Sequence, residues 1–115
     1  MKVLIIEGTA RKGRKSIHAA RYLQKKLEEV DHETNLFDPQ ERDIPPLGNR
    51  SYVDDEEPVP EDIKELSDLV RDSDAITIVT PEYNHSIPGT LKNSLDYLYP
   101  EYENKPFCYI TVSGG

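Results

Sequence analysis

The loop at residues 8–16 carries the residues best suited to bind an anion. Four of the five residues from Arg11 to Lys15 are basic, in a chain of 115 residues whose formal net charge is −8. The loop precedes an amphipathic pattern, so it lies where a helix N-terminus offers unpaired backbone N–H groups. Two glycines allow the backbone to approach a ligand closely, and Thr9 and Ser16 add hydroxyl donors. The pattern predicts a site for a phosphomonoester, although a solvated basic loop with a helix cap at Ser16 is the simpler alternative.

Two other phosphate-binding motifs do not fit this loop. A Walker A loop needs lysine directly after its second glycine, whereas Arg14 follows Gly13 here. The third apolar run of the chain ends at Thr80 and Pro81, without the acidic residue that a magnesium-dependent nucleotide hydrolase places at a strand end. The G-x-G-x-x-G fingerprint of dinucleotide-binding proteins is also missing from the loop. The sequence therefore disfavours both nucleotide-binding classes.

A second segment, Pro81 to Pro88, has the features of a ring-binding loop. Prolines at both ends restrict the backbone and delay the next helix, so main-chain N–H and C=O groups remain near the strand end. Such groups can bind the edge of a planar heterocycle, with Tyr83 or His85 as a wall. Packing beside a helix is the simpler interpretation of Tyr83, and a surface imidazole is that of His85. Glu82 is a weak candidate for a general base, because the sequence shows no partner that would activate it.

A third segment, Ser113 to Gly115, follows the fourth apolar run. Its glycines would let a ligand ring lie flat against the backbone, although the signal is weak by itself. The three segments follow the first, third and fourth predicted strands. Parallel strands present such loops at one edge of the sheet, so the three loops are predicted to converge on one site.

Four short apolar runs alternate with three helical patterns along the chain. Near-continuous apolar strands are typical of a sheet covered on both faces, which favours parallel pairing through helical crossovers. Right-handed crossovers then give an α/β three-layer sandwich with the flavodoxin-like strand order 2-1-3-4. The long, Pro- and acid-rich connection from Asp38 to Val59 is predicted to be a solvated flap. The predicted strands are Lys2–Ile6, Glu33–Phe37, Ala75–Thr80 and Pro106–Val112, and the helices carry Ile17 to Val30, Ile63 to Val70 and Leu91 to Leu98.

Composition limits the remaining possibilities. At 115 residues and 36% apolar content, residues 1–115 are predicted to form a single domain. The net charge of −8 disfavours nucleic acid as a partner. The first apolar run, Val3 to Ile6, is too short for a signal sequence or a membrane span, which predicts a cytoplasmic protein. The single cysteine, Cys108, lies within an apolar run and is predicted to be buried.

Residues 81–97, PEYNHSIPGTLKNSLDY, resemble the PEYN…PG.LKN..D signature of the NAD(P)H-dependent FMN reductases, a flavodoxin-like family. The loop at residues 8–16 is similar to the FMN-phosphate loop of that family, usually G-S-x-R with a following Ser, and Thr9 keeps the hydroxyl. The resemblance covers nearly the whole chain. The family typically continues through another helix, a fifth strand and a final helix, so the resemblance implies a domain that is incomplete after Gly115, with the usual fifth strand missing.

The resemblance also implies a function. The chain is expected to be an oxidoreductase that binds FMN and uses NAD(P)H as cosubstrate, with a quinone, azo compound, free flavin or metal ion as acceptor. It is expected to need no catalytic side chain or metal cofactor, and to form a dimer or tetramer through Leu91 to Tyr99. A flavodoxin-type electron carrier and a non-catalytic flavin- or phosphate-binding fragment remain alternatives. The residues implied to hold FMN are Thr9, Arg11, Arg14 and Ser16 at the phosphate, and Pro81, Glu82, Tyr83, Asn84, Ser113 and Gly114 around the isoalloxazine.

Overall fold

A four-stranded parallel sheet forms the centre of the protein. The computed structural model describes residues 1–48, 50 and 58–113. The strands are β1 (Lys2–Glu7), β2 (Glu33–Phe37), β3 (Ala75–Pro81) and β4 (Phe107–Val112). They lie in the order β2-β1-β3-β4, and every neighbouring pair is parallel. The predicted flavodoxin-like order 2-1-3-4 is confirmed.

Three helices cover the two faces of the sheet: α1 (Ser16–Glu29), α2 (Glu61–Asp72) and α3 (Gly89–Asp96). Successive residues of a strand point to opposite faces, so β1 divides its apolar side chains between two clusters. Val3 and Ile5 pack with Ala20 of α1, whereas Leu4 and Ile6 pack with residues of α2 and α3. The result is the predicted three-layer sandwich. In the part of the chain that the structure describes, no helix has both the length and the apolar character needed to cross a bilayer.

The fourth strand differs from its prediction. Cys108 is exposed, so its predicted burial is wrong. Within the described residues β4 pairs only with β3, and its side chains are covered less than those of β1 and β3. Ile110 and Val112 reach the cluster beneath α1, whereas Phe107 and Tyr109 stack at 6.4 Å between ring centroids and are exposed. The apolar sequence of β4 correctly predicted a strand. Its side chains are exposed because β4 lies at the border of the sheet.

The first part of the flap is docked on the protein. Ile44 and Leu47 pack against the core, and the backbone N–H of Leu47 donates to Asn93 Oδ1 at 2.8 Å. Asn93 Nδ2 and Tyr97 OH both donate to the carbonyl of Pro45, at 2.9 and 2.8 Å. These contacts tie the flap to α3, so residues 42–48 are not the solvated loop predicted from the sequence. Residues 49 and 51–57 of the flap lie outside the described residues.

A close approach of two strand ends requires glycine at position 8. The backbone N–H of Gly8 donates to the carbonyl of Val79 at 2.8 Å, which extends the pairing of β1 and β3 into the loop. A Cβ atom on Gly8 would lie 2.5 Å from both Cβ and Oγ1 of Thr80. Thr80 is itself buried, so neither residue can move without disturbing the carboxyl edge of the sheet.

We therefore expect Gly8→Ala to destabilise the protein by about 1–3 kcal/mol, the usual cost of forcing an extra carbon into a packed site. The free energy of unfolding from urea titration measures this. Gly48→Ala is the matched control, because nothing lies within 4 Å of the Cβ that it would add. Equal stability of the two variants would contradict the packing described here.

Candidate active site

A cleft of about 400 Å³ opens at the carboxyl edge of the sheet. Its volume is within the roughly 300–1,000 Å³ that is typical of small-molecule sites. It brings together the loops after β1, β3 and β4, as the sequence predicted. The lining residues are Thr9, Arg11, Arg14, Lys15, Ser16, Pro81, Glu82, Tyr83, Val112 and Ser113. Eight of these ten lining residues are among the residues assigned to FMN from the sequence.

The loop after β1 leads into an uncapped helix end. Lys15, and not Ser16 as predicted, is the N-cap residue of α1, and it makes no side-chain cap hydrogen bond. The backbone N–H of His18 donates to the Lys15 carbonyl at 3.1 Å, which leaves the first-turn N–H groups of Ser16 and Ile17 for another acceptor. Arg11 and Lys15 are both exposed at the cleft, and among the described residues the Arg11 guanidinium donates only to the neighbouring Lys12 carbonyl, at 3.2 Å. A helix N-terminus beside two such cations favours an anionic ligand.

Arg14 lines the cleft and is also paired within the protein. It is 7% exposed, and its Nη1 and Nη2 atoms donate to the two Asp38 carboxylate oxygens at 2.5 and 2.7 Å. Nη1 also donates to the carbonyl of Thr9 at 2.8 Å. The hydrogen bonds from Arg14 hold the pKa of the Asp38 carboxyl below its ordinary value. Three of the five guanidinium N–H donors thus bind groups of the protein, so Arg14 shapes the loop, and its assignment to the phosphate stays a prediction.

Ser16 is turned toward a buried carboxyl that the sequence analysis did not select. Its hydroxyl donates to Glu7 Oε1 at 2.5 Å, and the backbone N–H of Thr9 donates to the same oxygen at 3.3 Å. Glu7 is the last residue of β1 and is 1% exposed. Burial raises the pKa of the Glu7 carboxyl, and the hydrogen bond from Ser16 opposes that shift.

The loop after β3 makes a tight turn. Asn84 and His85 have φ angles of 53° and 64°, and Tyr83 and Ser86 exchange backbone hydrogen bonds of 2.9 and 3.1 Å across them. The backbone N–H of His85 donates to Glu82 Oε1 at 3.1 Å. Several main-chain groups that were predicted to be open to a ring are therefore paired within the loop. The consecutive positive φ angles were not anticipated, although asparagine and histidine tolerate them better than most residues.

The loops after β1 and β3 touch through their hydroxyl groups. Thr9 Oγ1 and Tyr83 OH lie 2.8 Å apart, and the backbone N–H of Arg11 donates to Thr9 Oγ1 at 3.2 Å. Tyr83 thus borders the predicted phosphate loop as well as the predicted ring loop. Asn84 lies at the turn and does not line the cleft, whereas Ser113 does. Gly114 lies outside the described residues.

Sequence reasoning missed Glu7, Asp38 and Lys15. Glu7 and Asp38 directly end or follow apolar strands, which is a signal that could have found them, since parallel strands direct such ends to one edge. A second cavity of about 220 Å³ lies between the flap and α3, with Phe37, Ile44 and Leu91 in its lining. Gly8 and Ala10 border this cavity, but none of the four basic residues between Arg11 and Lys15 lines it, so the 400 Å³ cleft is the candidate active site.

Comparison with known proteins identifies the family. The model of the NADPH-dependent FMN reductases matches residues 1–115. The chain belongs to this family. Its loops after β1 and β3 are those from which the resemblance was inferred, and the parallel order found in the structure agrees with a flavodoxin-like reductase.

Three similar proteins illustrate the range of the family. The NADPH azoreductase of Bacillus sp. (strain OY1-2) is 34% identical over 116 residues, which cover 100% of this chain and 60% of that protein. The quinone reductase of Escherichia coli (strain K12) is 38% identical over 98 residues, which cover 85% of this chain and 50% of that protein. FerB, a flavoenzyme NAD(P)H:(acceptor) oxidoreductase from Paracoccus denitrificans, has a TM-score of 0.78 and 29% identity over 99% of this chain and 62% of its own. The chain spans 50–60% of the length of the two curated relatives.

The residues around the cleft fit the phosphate end of FMN. The uncapped N-terminus of α1 offers donors, and Arg11 and Lys15 supply positive charge beside it. Pro81, Glu82 and Tyr83 form the opposite wall with Val112 and Ser113. Within the described residues no group of three or more His, Cys, Asp or Glu side chains could hold a metal ion. The assignment of individual residues to FMN stays a prediction.

Replacing Asp38 tests the buried ion pair that shapes the phosphate loop. We expect Asp38→Asn to lower the free energy of unfolding by roughly 3 kcal/mol, because it leaves the buried Arg14 guanidinium without its counter-charge. The exposed Asp68→Asn in α2 is the control, and its effect should be within about 0.5 kcal/mol.

The pH dependence of stability provides a second readout of this pair. Because the folded-state pKa of Asp38 is lowered, its contribution is present above the ordinary aspartate pKa of 3.8 and is lost as pH falls through the folded value. The wild type should therefore lose stability more steeply than Asp38→Asn between about pH 4 and pH 2. Parallel stability curves would show that the pair contributes nothing.

Proposed function

We propose that the protein is an FMN-dependent oxidoreductase that takes hydride from NAD(P)H and passes electrons to a small acceptor such as a quinone, azo compound, free flavin or metal ion. The observation that carries this proposal is the convergence of the basic loop after β1 and the wall formed by the other two loops on one 400 Å³ cleft. Membership of the reductase family supports it. The names of the azoreductase and quinone reductase relatives support the choice of acceptor class.

The side chains around the cleft are suited to binding and orientation. Arg11 and Lys15 attract the phosphate, and the first-turn N–H groups of α1 donate to it. Glu82 accepts from the backbone N–H of His85. The lining hydroxyl of Ser16 donates to the Glu7 carboxylate at 2.5 Å, and we assign this pair to positioning a ligand and not to covalent catalysis. When bound, FMN supplies the capacity to accept a hydride and release electrons, so the protein needs only to hold the ring and leave one side accessible.

We propose that the protein acts as a homo-oligomer, a dimer or a tetramer, as the family resemblance implies. Leu91, Tyr97 and Leu98 lie in the core of the chain itself. An interface at α3 would therefore use its exposed positions, such as Thr90 and Lys92.

A flavin titration followed by a cofactor-oxidation assay tests the proposed activity. The purified protein should quench FMN fluorescence on binding, and the loaded protein should oxidise NADPH or NADH in the presence of a quinone. Flavin binding without nicotinamide oxidation would point to an electron carrier instead. Failure to bind FMN would refute the proposed function.

Arg11→Ala tests the phosphate end of the site. We expect FMN affinity to fall by roughly tenfold to a hundredfold, because a charge-assisted hydrogen bond is worth about 1.5–3 kcal/mol. Lys12→Ala is the matched control, since it removes a neighbouring exposed charge that does not line the cleft. Riboflavin, which lacks the phosphate, should bind both variants alike, and an unchanged FMN dissociation constant for Arg11→Ala would reject the assignment.

His85→Gln tests whether the reaction needs an acid or a base from the ring loop. The imidazole is 98% exposed, so it has no buried position from which to direct a proton. We expect the FMN-loaded variant to retain hydride transfer within about threefold of the wild type, whereas loss of an essential acid or base costs roughly a hundredfold or more. Stopped-flow measurement of flavin reduction at saturating NADPH gives the rate, and a loss of that size with FMN still bound would contradict this expectation.

A further inference from the structure

We propose that Glu7 carries a proton when a phosphate group occupies the cleft, and that it acts through Ser16 as a positioning residue for that phosphate. Binding of FMN would then take up a proton from solution. The inference rests on the proposed function, because it takes FMN as the ligand. It assigns a role to a carboxyl that neither the motif nor the predicted chemistry uses.

The Glu7 carboxyl is buried, and only one of its two oxygens accepts hydrogen bonds from the described residues. Oε1 accepts from the Ser16 hydroxyl at 2.5 Å and from the backbone N–H of Thr9 at 3.3 Å. Oε2 is buried and has no hydrogen-bond partner among the described residues. A buried carboxylate oxygen without a donor is costly, and protonation removes that cost by removing the charge.

The charged groups around Glu7 compensate it only in part. The positive charge of Arg14 lowers the pKa of the Glu7 carboxyl and the charge of Asp38 raises it, while the Arg14 guanidinium donates to Asp38 and to the Thr9 carbonyl. From β3, the residue paired with Glu7 is the uncharged Val79. Burial raises the pKa of the Glu7 carboxyl, in agreement with this environment. The other charged groups nearby are Glu41 and Arg21, which face the Arg14–Asp38 pair, and Arg42 and Asp43, which border the neighbouring 220 Å³ cavity.

The protonation state of Glu7 decides what Ser16 can offer to a ligand. When Glu7 is ionised, the Ser16 hydroxyl donates inward to Oε1, and its oxygen presents only lone pairs to a phosphate. When Glu7 is protonated on Oε1, its O–H donates to Ser16 Oγ, and the Ser16 O–H is released to donate to a phosphate oxygen. The proton comes from solvent and stays on Glu7, and no covalent bond to the ligand forms or breaks. Ser16 lines the cleft, so the two hydrogen bonds form a continuous path to it.

Phosphate and an ionised Glu7 would also repel each other. A phosphate bonded to Ser16 Oγ lies within two hydrogen-bond lengths of Glu7, and the first of these is 2.5 Å. Both charges would be in a partly buried site, where screening by water is weak. Occupation of the cleft by a phosphate therefore favours the neutral carboxyl beyond its state in the empty protein, which is the thermodynamic basis of the coupling.

Titration calorimetry in buffers of different ionisation enthalpy measures the proton uptake. At about pH 7 we expect FMN binding to the wild-type protein to take up roughly one proton, and riboflavin binding to take up none, because riboflavin has no phosphate. Glu7→Gln should bind FMN with the uptake removed. Its dissociation constant for FMN should rise less with pH, so that the ratio of the wild-type to the variant dissociation constant increases by roughly tenfold to a hundredfold between about pH 6 and pH 8. The titration of the FMN phosphate itself cancels in that ratio.

Glu29→Gln is the matched control, since it removes one carboxyl from the far end of α1 and should keep the wild-type uptake. No uptake by the wild type, or the same uptake by Glu7→Gln, would overturn the inference while leaving the proposed function intact. Failure of the wild type to bind FMN would instead refute the proposed function. If Glu7→Gln does not fold, ¹³C NMR of the Glu7 carboxyl in the wild type decides the question, because the proposal requires it to shift to the protonated value on addition of FMN.

Discussion

The buried ion pair between Arg14 and Asp38 is the constraint on which the candidate site depends. Both groups are buried, so each charge would be costly without the opposite charge of its partner. The Thr9 carbonyl is a further acceptor for the guanidinium. The pair fastens the loop after β1 to the end of β2. With the Thr9 carbonyl held inward, the Thr9 hydroxyl lies near Tyr83 at the cleft. The pair also neutralises one of the loop's basic residues, which leaves Arg11 and Lys15 to attract a ligand.

The parallel sheet brings the loops together, and glycine allows its central strands to approach closely at the site. Gly8 leaves β1 against Thr80, where a side chain would not fit. This contact sets the loop after β1 directly beside the loop after β3. The site is therefore built from strand ends and loops, with few reactive side chains, which suits a protein whose bound cofactor supplies the chemistry.

The sequence predicted most of the fold and the set of loops at the site. Apolar runs with helical patterns between them are local signals, and right-handed crossovers leave few ways to arrange them. The confirmed order of the strands follows from these rules. The motif at residues 81–97 indicates the family by itself. Seven of the residues that it and the basic loop indicated line the cleft, together with Ser113 from the third segment. The exposure of Cys108 was missed because its apolar neighbours alone suggested burial, although the predicted order 2-1-3-4 already places β4 at the border of the sheet.

By itself, the sequence determined the alternation of strands and helices, the location of the positive charge and the family. The tertiary structure decided how the charged side chains divide their roles. Arg11 and Arg14 are only three residues apart and chemically identical, yet one is exposed at the cleft and the other is buried against Asp38. Glu7, at the end of β1, is buried and accepts a hydrogen bond from Ser16, the first residue of α1. Local pattern cannot distinguish these cases, because burial and pairing depend on residues that are distant in the chain and meet only when the sheet has formed.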